Sequence, residues 1–394
     1  MTYNDPMRLL YLADARSPIA LNWMRHFIEG GHEVHLVSSF PCLPPAGLAG
    51  FEVLPVAFSS TKKTPARPGS AVPPGSARLL KARTALRQWL GPFTLRGASR
   101  RLRRIIQQLR PDLVHALRIP FEGMLAAEAH TGESPLAISV WGNDFTLHGR
   151  STPLMHHYTE WSLKAAQALH ADCHRDIRLA KQWGFDPDKP TLVIPTNGGL
   201  RLDLFRPPSQ PVEEPVVLNP RGFRAYVCNE AFFKSIPLIL RKHPEARFRC
   251  ASMAGEAKAL QWIAELHIQE AVELLPPLPY ANMAEVFRSA QVVVSPTLHD
   301  GTPNSLLEGM ACGCFPVAGD LESIREWITP GKNGLLVDAS DPASIAEAVI
   351  AGLENKNLRQ TAAGHNLKML ASRAEYKACM RQAESFYTRL AGAG

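Results

Sequence analysis

The chain has 394 residues, of which 45% are hydrophobic and 20% are charged. This length suits two folded domains of about 150 to 200 residues each, and the composition excludes a disordered chain. No apolar run reaches the length of a membrane span, and the N-terminus carries an acid where a secretory signal carries lysines. The seven cysteines are an odd number without regular spacing, which predicts free thiols in a reducing compartment. We therefore expect a cytoplasmic protein.

The first half of the chain alternates apolar runs with helical periodicity. Residues 7–13 form a continuous apolar run, residues 18–30 place apolar side chains on one helical face, and residues 32–38 return to a strand pattern. Further runs of strand length lie at residues 111–117, 135–141, 168–173 and 191–196. Strands that alternate with helices predict a parallel sheet with helices on both faces.

A strongly basic segment interrupts this half. The formal net charge is +7, yet thirteen Lys and Arg and no Asp or Glu lie between Val53 and Pro111, so the remaining residues sum to −6. Residues 76–90 follow the pattern of a basic amphipathic helix, and residues 76–104 would suit an anionic membrane surface, a polyanion or acceptor, or plain solvation. These three interpretations stay open. Without interleaved aromatic residues, the arginines do not favour nucleic acid.

The second half repeats the alternation after a proline-rich linker at residues 205–215. Its apolar runs of strand length lie at residues 216–220, 246–252, 271–275, 290–296, 314–319 and 334–338. We predict an α/β protein with two doubly wound domains, residues 1–205 and 206–372, and a final helix over residues 373–394 that returns toward the first domain. Doubly wound sheets bind ligands at the carboxyl ends of their strands, so we expect the site in a cleft between the domains.

The most informative stretch follows the run at residues 290–296. A loop with Asp300 and Gly301 comes first, Pro303 suits the first turn of a helix, and Gly313 ends that helix. The first backbone amides and the dipole of such a helix favour an anion, so a phosphate would fit against residues 302–305. Glu308, one turn further, would accept hydrogen bonds from vicinal hydroxyls such as those of a ribose. A surface helix with solvated acids fits the local pattern equally well.

This stretch, DGTPNSLLEGMACGCFPV, resembles the signature of the family 4 glycosyltransferases, in which an acid and a Glu are separated by seven residues in a segment like EGxPxxLLEAMACGxPVV. Segments similar to other parts of that family occur in the expected order, namely GGHEVHLVS, RPDLVHAL, VIPTNGGLRLDLFRP and PGKNGLLVDASDPASIAEAV. The resemblance covers nearly the whole chain. It implies the GT-B fold, two Rossmann-like domains that face each other across a cleft. It also implies a nucleoside-diphosphate sugar, UDP- or GDP-linked, on the C-terminal domain and an acceptor on the N-terminal one. Transfer would retain the anomeric configuration without a metal or other cofactor.

The resemblance also assigns roles in the C-terminal domain. Asp300 would contact the hydroxyls of the donor sugar, although it is one methylene shorter than the usual Glu. Arg221 matches the family's arginine at the diphosphate, whereas Tyr226 stands where the family has a lysine, and Arg224 is the nearest replacement. The donor-binding residues would be Gly301, Thr302, Pro303, Asn304, Ser305, Leu306 and Glu308, with Glu308 at the ribose and the others at the diphosphate.

Three positions of the N-terminal domain complete the predicted site. Asn143 and Asp144 would bond hydroxyls of the sugar or acceptor, or act as ordinary turn and N-cap residues. Arg16, in the first strand–helix loop, would approach the donor phosphate or serve the structure. Trp141 replaces the usual histidine.

The function favoured by these features is a retaining glycosyltransferase that moves a sugar from a nucleoside-diphosphate sugar to a saccharide, lipid-linked or small-molecule acceptor. One alternative is a nucleotide-sugar epimerase or hydrolase of the same fold. Another is a binding protein that lost turnover through the altered residues Asp300, Trp141 and Tyr226.

Overall fold

The computed structural model describes residues 6–59 and 84–392. These divide into two compact units, with residues 6–59, 84–199 and 377–392 in unit 1 and residues 200–376 in unit 2. The C-terminal helix therefore belongs to the same unit as the N-terminal strands. The first part of the predicted basic helix, residues 76–83, lies outside the described residues.

Unit 1 is built on a seven-stranded parallel sheet with the order β3-β2-β1-β4-β5-β6-β7. Its strands are β1 (Arg8–Ala13), β2 (Glu33–Ser38), β3 (Gly50–Val53), β4 (Leu113–Ala116), β5 (Leu136–Val140), β6 (Ala168–Ala171) and β7 (Thr191–Val193). The apolar runs predicted six of these strands. They did not predict β3, because this edge strand is only half-buried along its whole length and so has no continuous apolar run.

Helices connect these strands. They are α1 (Pro18–Glu29), the described helical residues 84–90 as α2, α3 (Leu95–Leu109), α4 (Met124–Ala129), α5 (Pro153–Ala165), α6 (His174–Gln182) and, at the end of the chain, α14 (Tyr376–Ala391). The sequence explains two of the starts, because Ser17 and Thr152 cap α1 and α5 through their hydroxyls and a proline follows each cap.

The basic segment has two different halves. In α3, Leu95, Leu102 and Ile106 are buried and the arginines lie on the outer face. In α2, Arg87 is half-buried, whereas the large apolar residues Leu86, Trp89 and Leu90 are exposed. Among the described helices, none has the length and hydropathy to cross a membrane.

A buried hydrogen-bond chain joins α14 to the sheet of unit 1. The indole of Trp23 donates to the Tyr387 hydroxyl at 2.9 Å, and that hydroxyl contacts Nδ1 of His115. Nε2 of His115 and Nδ1 of His170 both lie 2.9 Å from the Ser139 hydroxyl. Nε2 of His170 lies 3.0 Å from the Ile194 carbonyl.

One assignment of protons satisfies every member of this chain. Tyr387 donates to His115, His115 donates to Ser139, Ser139 donates to His170, and His170 donates to the Ile194 carbonyl. Both histidines are then neutral, in agreement with burial, which lowers the pKa of His115 well below its usual value and that of His170 to about 4.

Unit 2 has a six-stranded parallel sheet with the order β10-β9-β8-β11-β12-β13. Its strands are β8 (Val216–Asn219), β9 (Arg247–Cys250), β10 (Val272–Leu274), β11 (Val292–Ser295), β12 (Phe315–Gly319) and β13 (Leu335–Val337). Its helices are α7 (Asn229–Leu240), α8 (Ala257–Leu266), α9 (Tyr280–Arg288), α10 (Asn304–Ala311), α11 (Glu322–Arg325), α12 (Pro342–Glu354) and α13 (Lys356–Arg373). All six strands coincide with predicted apolar runs.

Helix α10 packs closely on the strand that precedes it. A Cβ at Gly309 would lie 2.9 Å from Cγ1 of Val293, so only glycine allows this separation between α10 and β11. Gly313 has a φ of +86° just after the helix, as expected for the residue that ends it. Strands β8 and β11 are neighbours in the sheet, so the loops that follow them leave the sheet side by side.

Candidate active site

The first component of the site is Arg221, in the loop after β8. The Asn219 side chain accepts a hydrogen bond from the Arg221 amide at 3.0 Å. Asn219 is itself bonded to Asn229, which donates to the carbonyl of Gly222, a residue with a φ of +63°. Two buried asparagines therefore fix this loop and the direction in which the Arg221 side chain leaves it.

The Arg221 guanidinium contacts two residues of the loop and helix predicted to bind the donor. It donates to the Asp300 carboxylate at 2.5 Å and to the Ser305 hydroxyl at 3.2 Å. The side chains of Arg221 and Asp300 are 8% and 16% exposed, so the ion pair is largely shielded from solvent. The structure thus brings together Arg221, Asp300 and Ser305, although Arg221 lies far from the other two in sequence.

This geometry differs in one respect from the expectation for Asp300. One oxygen of its carboxylate, Oδ2, accepts from Arg221, a contact that the expected role at the sugar hydroxyls did not include. The Asp300 carbonyl accepts a hydrogen bond from Ser323 at 2.8 Å, which holds the loop from the other side.

The start of α10 lies directly beside this pair. Pro303 is the N-cap residue, with a ψ of 105°, and not a residue of the first turn as predicted. Gly301, Thr302 and Pro303 are buried, and the indole of Trp327 donates to the Thr302 hydroxyl at 3.0 Å. The amides of Asn304 and Ser305 precede the first intrahelical hydrogen bonds, and Leu306 already donates to the Pro303 carbonyl. The Leu306 side chain belongs to the core.

Glu308 lies one turn further along α10 and is buried. Burial raises the pKa of its carboxyl to about 7, and the nearby Tyr280 hydroxyl and Arg221 cation act in the opposite direction. Tyr280, the first residue of α9, lies within hydrogen-bonding reach of this carboxylate. The group therefore changes its charge near neutral pH.

Several buried polar atoms of this region have no hydrogen-bond partner in the described parts of the chain. They belong to Arg221 and to the segment from β11 into α10, and they are Nε of Arg221, Oγ of Ser295, Oγ1 of Thr297 and Oδ1 of Asn304. An unpaired buried polar atom costs about 1 to 3 kcal/mol. Such a concentration is typical of a surface that a polar ligand completes.

The other predicted cation of this loop lies differently. Arg224 is exposed and donates to the Tyr226 hydroxyl at 3.1 Å. The residue at the lysine position and its suggested replacement are thus in contact with each other.

The predicted residues of unit 1 form a separate cluster around Arg118. Its guanidinium donates to Asp144 and to the side-chain oxygen of Asn143, both at 2.9 Å. The second carboxylate oxygen of Asp144 accepts from the amides of Trp141, at 3.0 Å, and Ile119, at 3.3 Å. Asp144 is fully buried, and burial raises its pKa.

The expectation that Asp144 bonds a substrate hydroxyl is therefore corrected. Its oxygens are occupied by protein donors, so Asp144 positions Arg118 and the Trp141 turn. Arg16 is likewise engaged, because its guanidinium donates to both oxygens of Asp14, at 2.9 and 2.8 Å, and lies over the Phe40 ring.

Two family profiles match the chain. The family described as "Glycosyl transferase 4-like domain" matches residues 17–196, and the one described as "Glycosyl transferases group 1" matches residues 226–355. The chain belongs to the family 4 glycosyltransferases of the GT-B fold.

Curated relatives agree with this membership. The D-inositol 3-phosphate glycosyltransferase of Thermobispora bispora is 26% identical over 212 residues, which are 48% of this chain and 49% of that one. The enzyme of the same name from Thermomonospora curvata is 28% identical over 221 residues, half of each chain. The chain thus spans about half the length of these curated relatives.

Solved structures of glycosyltransferases share the fold of this chain. A sucrose-phosphate synthase from Thermosynechococcus elongatus has a TM-score of 0.71 and 14% identity, with 98% of this chain and 100% of that one covered. Anabaena HepE in complex with UDP-glucose has a TM-score of 0.72 and 14% identity, with 97% and 100% covered.

For a family 4 glycosyltransferase, three functional candidates were missing from the sequence prediction. Tyr280 contacts Glu308, and Arg118 binds Asp144 and Asn143. Arg87 lines a cleft in unit 1. None of the three lies in a motif, and each depends on contacts between residues distant in the chain. Of the three, the sequence pointed only to Arg87, which is one of the cations of the predicted basic helix.

Proposed function

We propose that the protein is a retaining glycosyltransferase that moves a sugar from a nucleoside-diphosphate sugar, UDP- or GDP-linked, to a saccharide, lipid-linked or small-molecule acceptor. The observation that carries the proposal is the cluster of Arg221, Asp300, Ser305 and buried Glu308 around the start of α10. No observation favours the epimerase, hydrolase or inactive binding protein.

In this proposal the diphosphate lies against the first amides of α10 and the Arg221 guanidinium. Negative charge on the leaving diphosphate grows as the glycosidic bond breaks, so fixed donors stabilise the transition state more than the bound donor. The Asn304 and Ser305 amides and the helix dipole contribute at the same place.

The two acids then have different roles. Glu308 in its ionised form accepts hydrogen bonds from the two hydroxyls of the ribose. Asp300 aligns Arg221 and turns one oxygen to a hydroxyl of the donor sugar. The diphosphate charge is met by protein cations and amides, so we propose that transfer proceeds without a metal.

A donor screen tests the proposal directly. Nucleoside-diphosphate release from UDP-, GDP-, ADP- and TDP-sugars, measured with and without simple sugar acceptors, should identify one base whose release is stimulated by acceptor. The product's anomeric configuration, read by NMR, should match that of the donor. Free sugar released at the same rate with every acceptor would instead indicate a hydrolase.

We also propose that the protein rests on an anionic membrane at the cytoplasmic side through α2 and α3. Trp89 and Phe93 are 57% and 67% exposed, and the outward arginines of α3 follow directly. Exposed aromatic residues beside cations suit a lipid interface with negative headgroups.

Co-sedimentation with vesicles of phosphatidylcholine, alone or with phosphatidylglycerol, tests this surface. Binding should require the anionic lipid and fall in a variant with Trp89→Ser and Phe93→Ser. Leu43→Ser is the matched control, because Leu43 is 88% exposed elsewhere in unit 1. Equal binding of all three proteins would reject the membrane surface.

A further inference from the structure

Unit 1 contains a cleft of about 430 Å³ at the carboxyl ends of β1, β4 and β5. Three guanidinium groups line it, those of Arg16, Arg87 and Arg118. The ends of β1 and β4 meet at the point where the strand order of the sheet reverses, which is where doubly wound sheets bind ligands.

Two of these cations are already paired. The Arg16 guanidinium donates to both carboxylate oxygens of Asp14, and the Arg118 guanidinium donates to the buried Asp144. These contacts partly neutralise both groups and fix the directions of their side chains. The third cation, Arg87, has a different environment.

Arg87 lies in the cleft and has no such ion pair within residues 6–59 and 84–392. Its guanidinium stacks between the rings of Phe40 and Phe121, with distances of 4.7 and 4.6 Å to the ring centroids. Its Nε atom is buried and has no hydrogen-bond partner among the described residues. Burial lowers its pKa; the charges of Glu122 and Asp14 act against this change, and those of Arg118 and Arg16 act with it.

The two acids of the cleft wall are each engaged by another side chain. Asp14 is engaged by Arg16, and Glu122 accepts a hydrogen bond from the Ser39 hydroxyl, while burial raises its pKa. His148 is neutral, because burial and the neighbouring arginines lower its pKa to about 3. A partly desolvated cation beside two others is unfavourable unless an anion completes it.

We propose that the acceptor carries an oxyanion, a phosphate or a carboxylate, which binds the Arg87 guanidinium in this cleft. The planar fork of arginine suits both groups, since each presents two oxygens to two donors. Phe121 and the Trp141 ring, which also line the cleft, provide an apolar wall for the part of the acceptor that bears the anion. The assignment of this anion to the acceptor rests on the proposed glycosyltransferase function.

Binding without any nucleotide tests the site independently of that function. Isothermal titration of the full-length protein with glucose, glucose 6-phosphate, glucuronate and inorganic phosphate should show that at least one anion binds, and more tightly than glucose. Arg87→Gln should weaken that binding roughly 10- to 100-fold, the effect of one or two charge-assisted bonds. Comparison of glucose 6-phosphate with glucuronate distinguishes phosphate from carboxylate.

Arg104→Gln is the matched control, because it removes an equal charge from the exposed face of α3. It should leave anion binding unchanged. Failure of every anion to bind more tightly than glucose, or equal losses in the two variants, would overturn the proposal. A loss of UDP affinity in Arg87→Gln would assign Arg87 to the donor and overturn it as well.

A transfer assay then separates this inference from the proposed function. With the preferred donor, the kcat/KM for the anionic acceptor should exceed that for its neutral counterpart, and Arg87→Gln should abolish the preference. If Arg87→Gln loses anion binding but the wild-type protein transfers sugar from no donor, the anion site is supported and the proposed glycosyltransferase function is rejected.

Discussion

Two buried polar regions of the molecule differ in whether their polar atoms have hydrogen-bond partners within the protein. In unit 1, the chain from Trp23 to the Ile194 carbonyl satisfies each donor and acceptor along its length with a protein partner. In unit 2, the region around the start of α10 has buried polar atoms of Arg221, Ser295, Thr297 and Asn304 without a partner among the described residues. The first region runs through β4, β5 and β6, whereas the second lies at the carboxyl ends of β8 and β11.

We interpret this difference as one between a region that stabilises the fold and a region that binds a ligand. A fully paired network stabilises one arrangement of its elements, here the position of α14 on the sheet of unit 1. An unpaired network lowers stability, and its persistence is explained when a ligand supplies the missing partners. The contrast predicts that substitutions in the first region reduce stability, whereas those in the second reduce binding and turnover.

The largest expected effect is that of Arg221→Ala on turnover. Removal of this cation should reduce kcat about 10²- to 10³-fold, because the charge that develops on the leaving diphosphate loses its fixed donor. Steady-state release of the nucleoside diphosphate measures it. Since the substitution also removes the ion pair of Arg221 with Asp300, Arg221→Lys and a thermal melt serve to check folding.

Arg224→Ala gives the comparison for that result. Arg224 is exposed and contacts Tyr226, so its removal should change kcat much less than the loss of Arg221. Normal turnover in Arg221→Ala, or a larger loss in Arg224→Ala, would show that the diphosphate is neutralised elsewhere.

Tyr387→Phe should reduce stability and leave nucleotide binding unchanged. The change leaves Nδ1 of His115 without its donor and the Trp23 indole without its acceptor. We expect the free energy of unfolding to fall by about 2 kcal/mol, measured by urea denaturation, with unchanged nucleotide affinity. Tyr158→Phe, whose hydroxyl contacts the exposed Arg96, should be close to neutral. Equal losses in the two variants would contradict the role of the chain.

The pH dependence of nucleotide binding should report Glu308. Its raised pKa, about 7, means that the folded protein holds this proton more tightly than the unfolded chain. The stability that the neutral carboxyl contributes is present below the ordinary pKa and is lost as the pH rises toward 7. Ribose hydroxyls need the ionised carboxylate, so UDP affinity should fall roughly tenfold from about pH 7.5 to about pH 6.

Glu308→Gln is the control for that titration. It keeps the shape of the side chain, removes the titration, and should weaken UDP binding at high pH by about 1 to 3 kcal/mol. Calorimetry at several pH values measures both effects. If the UDP affinity of the wild-type protein does not change over this pH range, Glu308 does not bind the ribose.

The sequence was informative where structure depends on local pattern. Parallel strands are buried on both faces, so they appear as apolar runs, and only the half-buried edge strand β3 escaped. The motif at residues 300–317 located the start of α10. The pairing of Arg221 with Asp300 became visible only once β8 and β11 were known to be neighbours. Asp144 was misjudged because nothing in its turn indicates that Arg118 encloses it.

The smallest expected effect gives the sharpest test of the contrast, because two buried serines form a matched pair. Ser139 lies in β5 and Ser295 ends β11, and they are 1% and 0% exposed. Ser139→Ala should lower the free energy of unfolding by about 1 to 3 kcal/mol, since it leaves Nε2 of His115 and Nδ1 of His170 without a partner. Ser295→Ala removes a hydroxyl that has no partner within the described residues, so stability should change by less than about 0.5 kcal/mol or increase. Urea denaturation of both variants measures the difference. A loss in Ser295→Ala as large as that in Ser139→Ala would mean that the Ser295 hydroxyl is satisfied without a ligand.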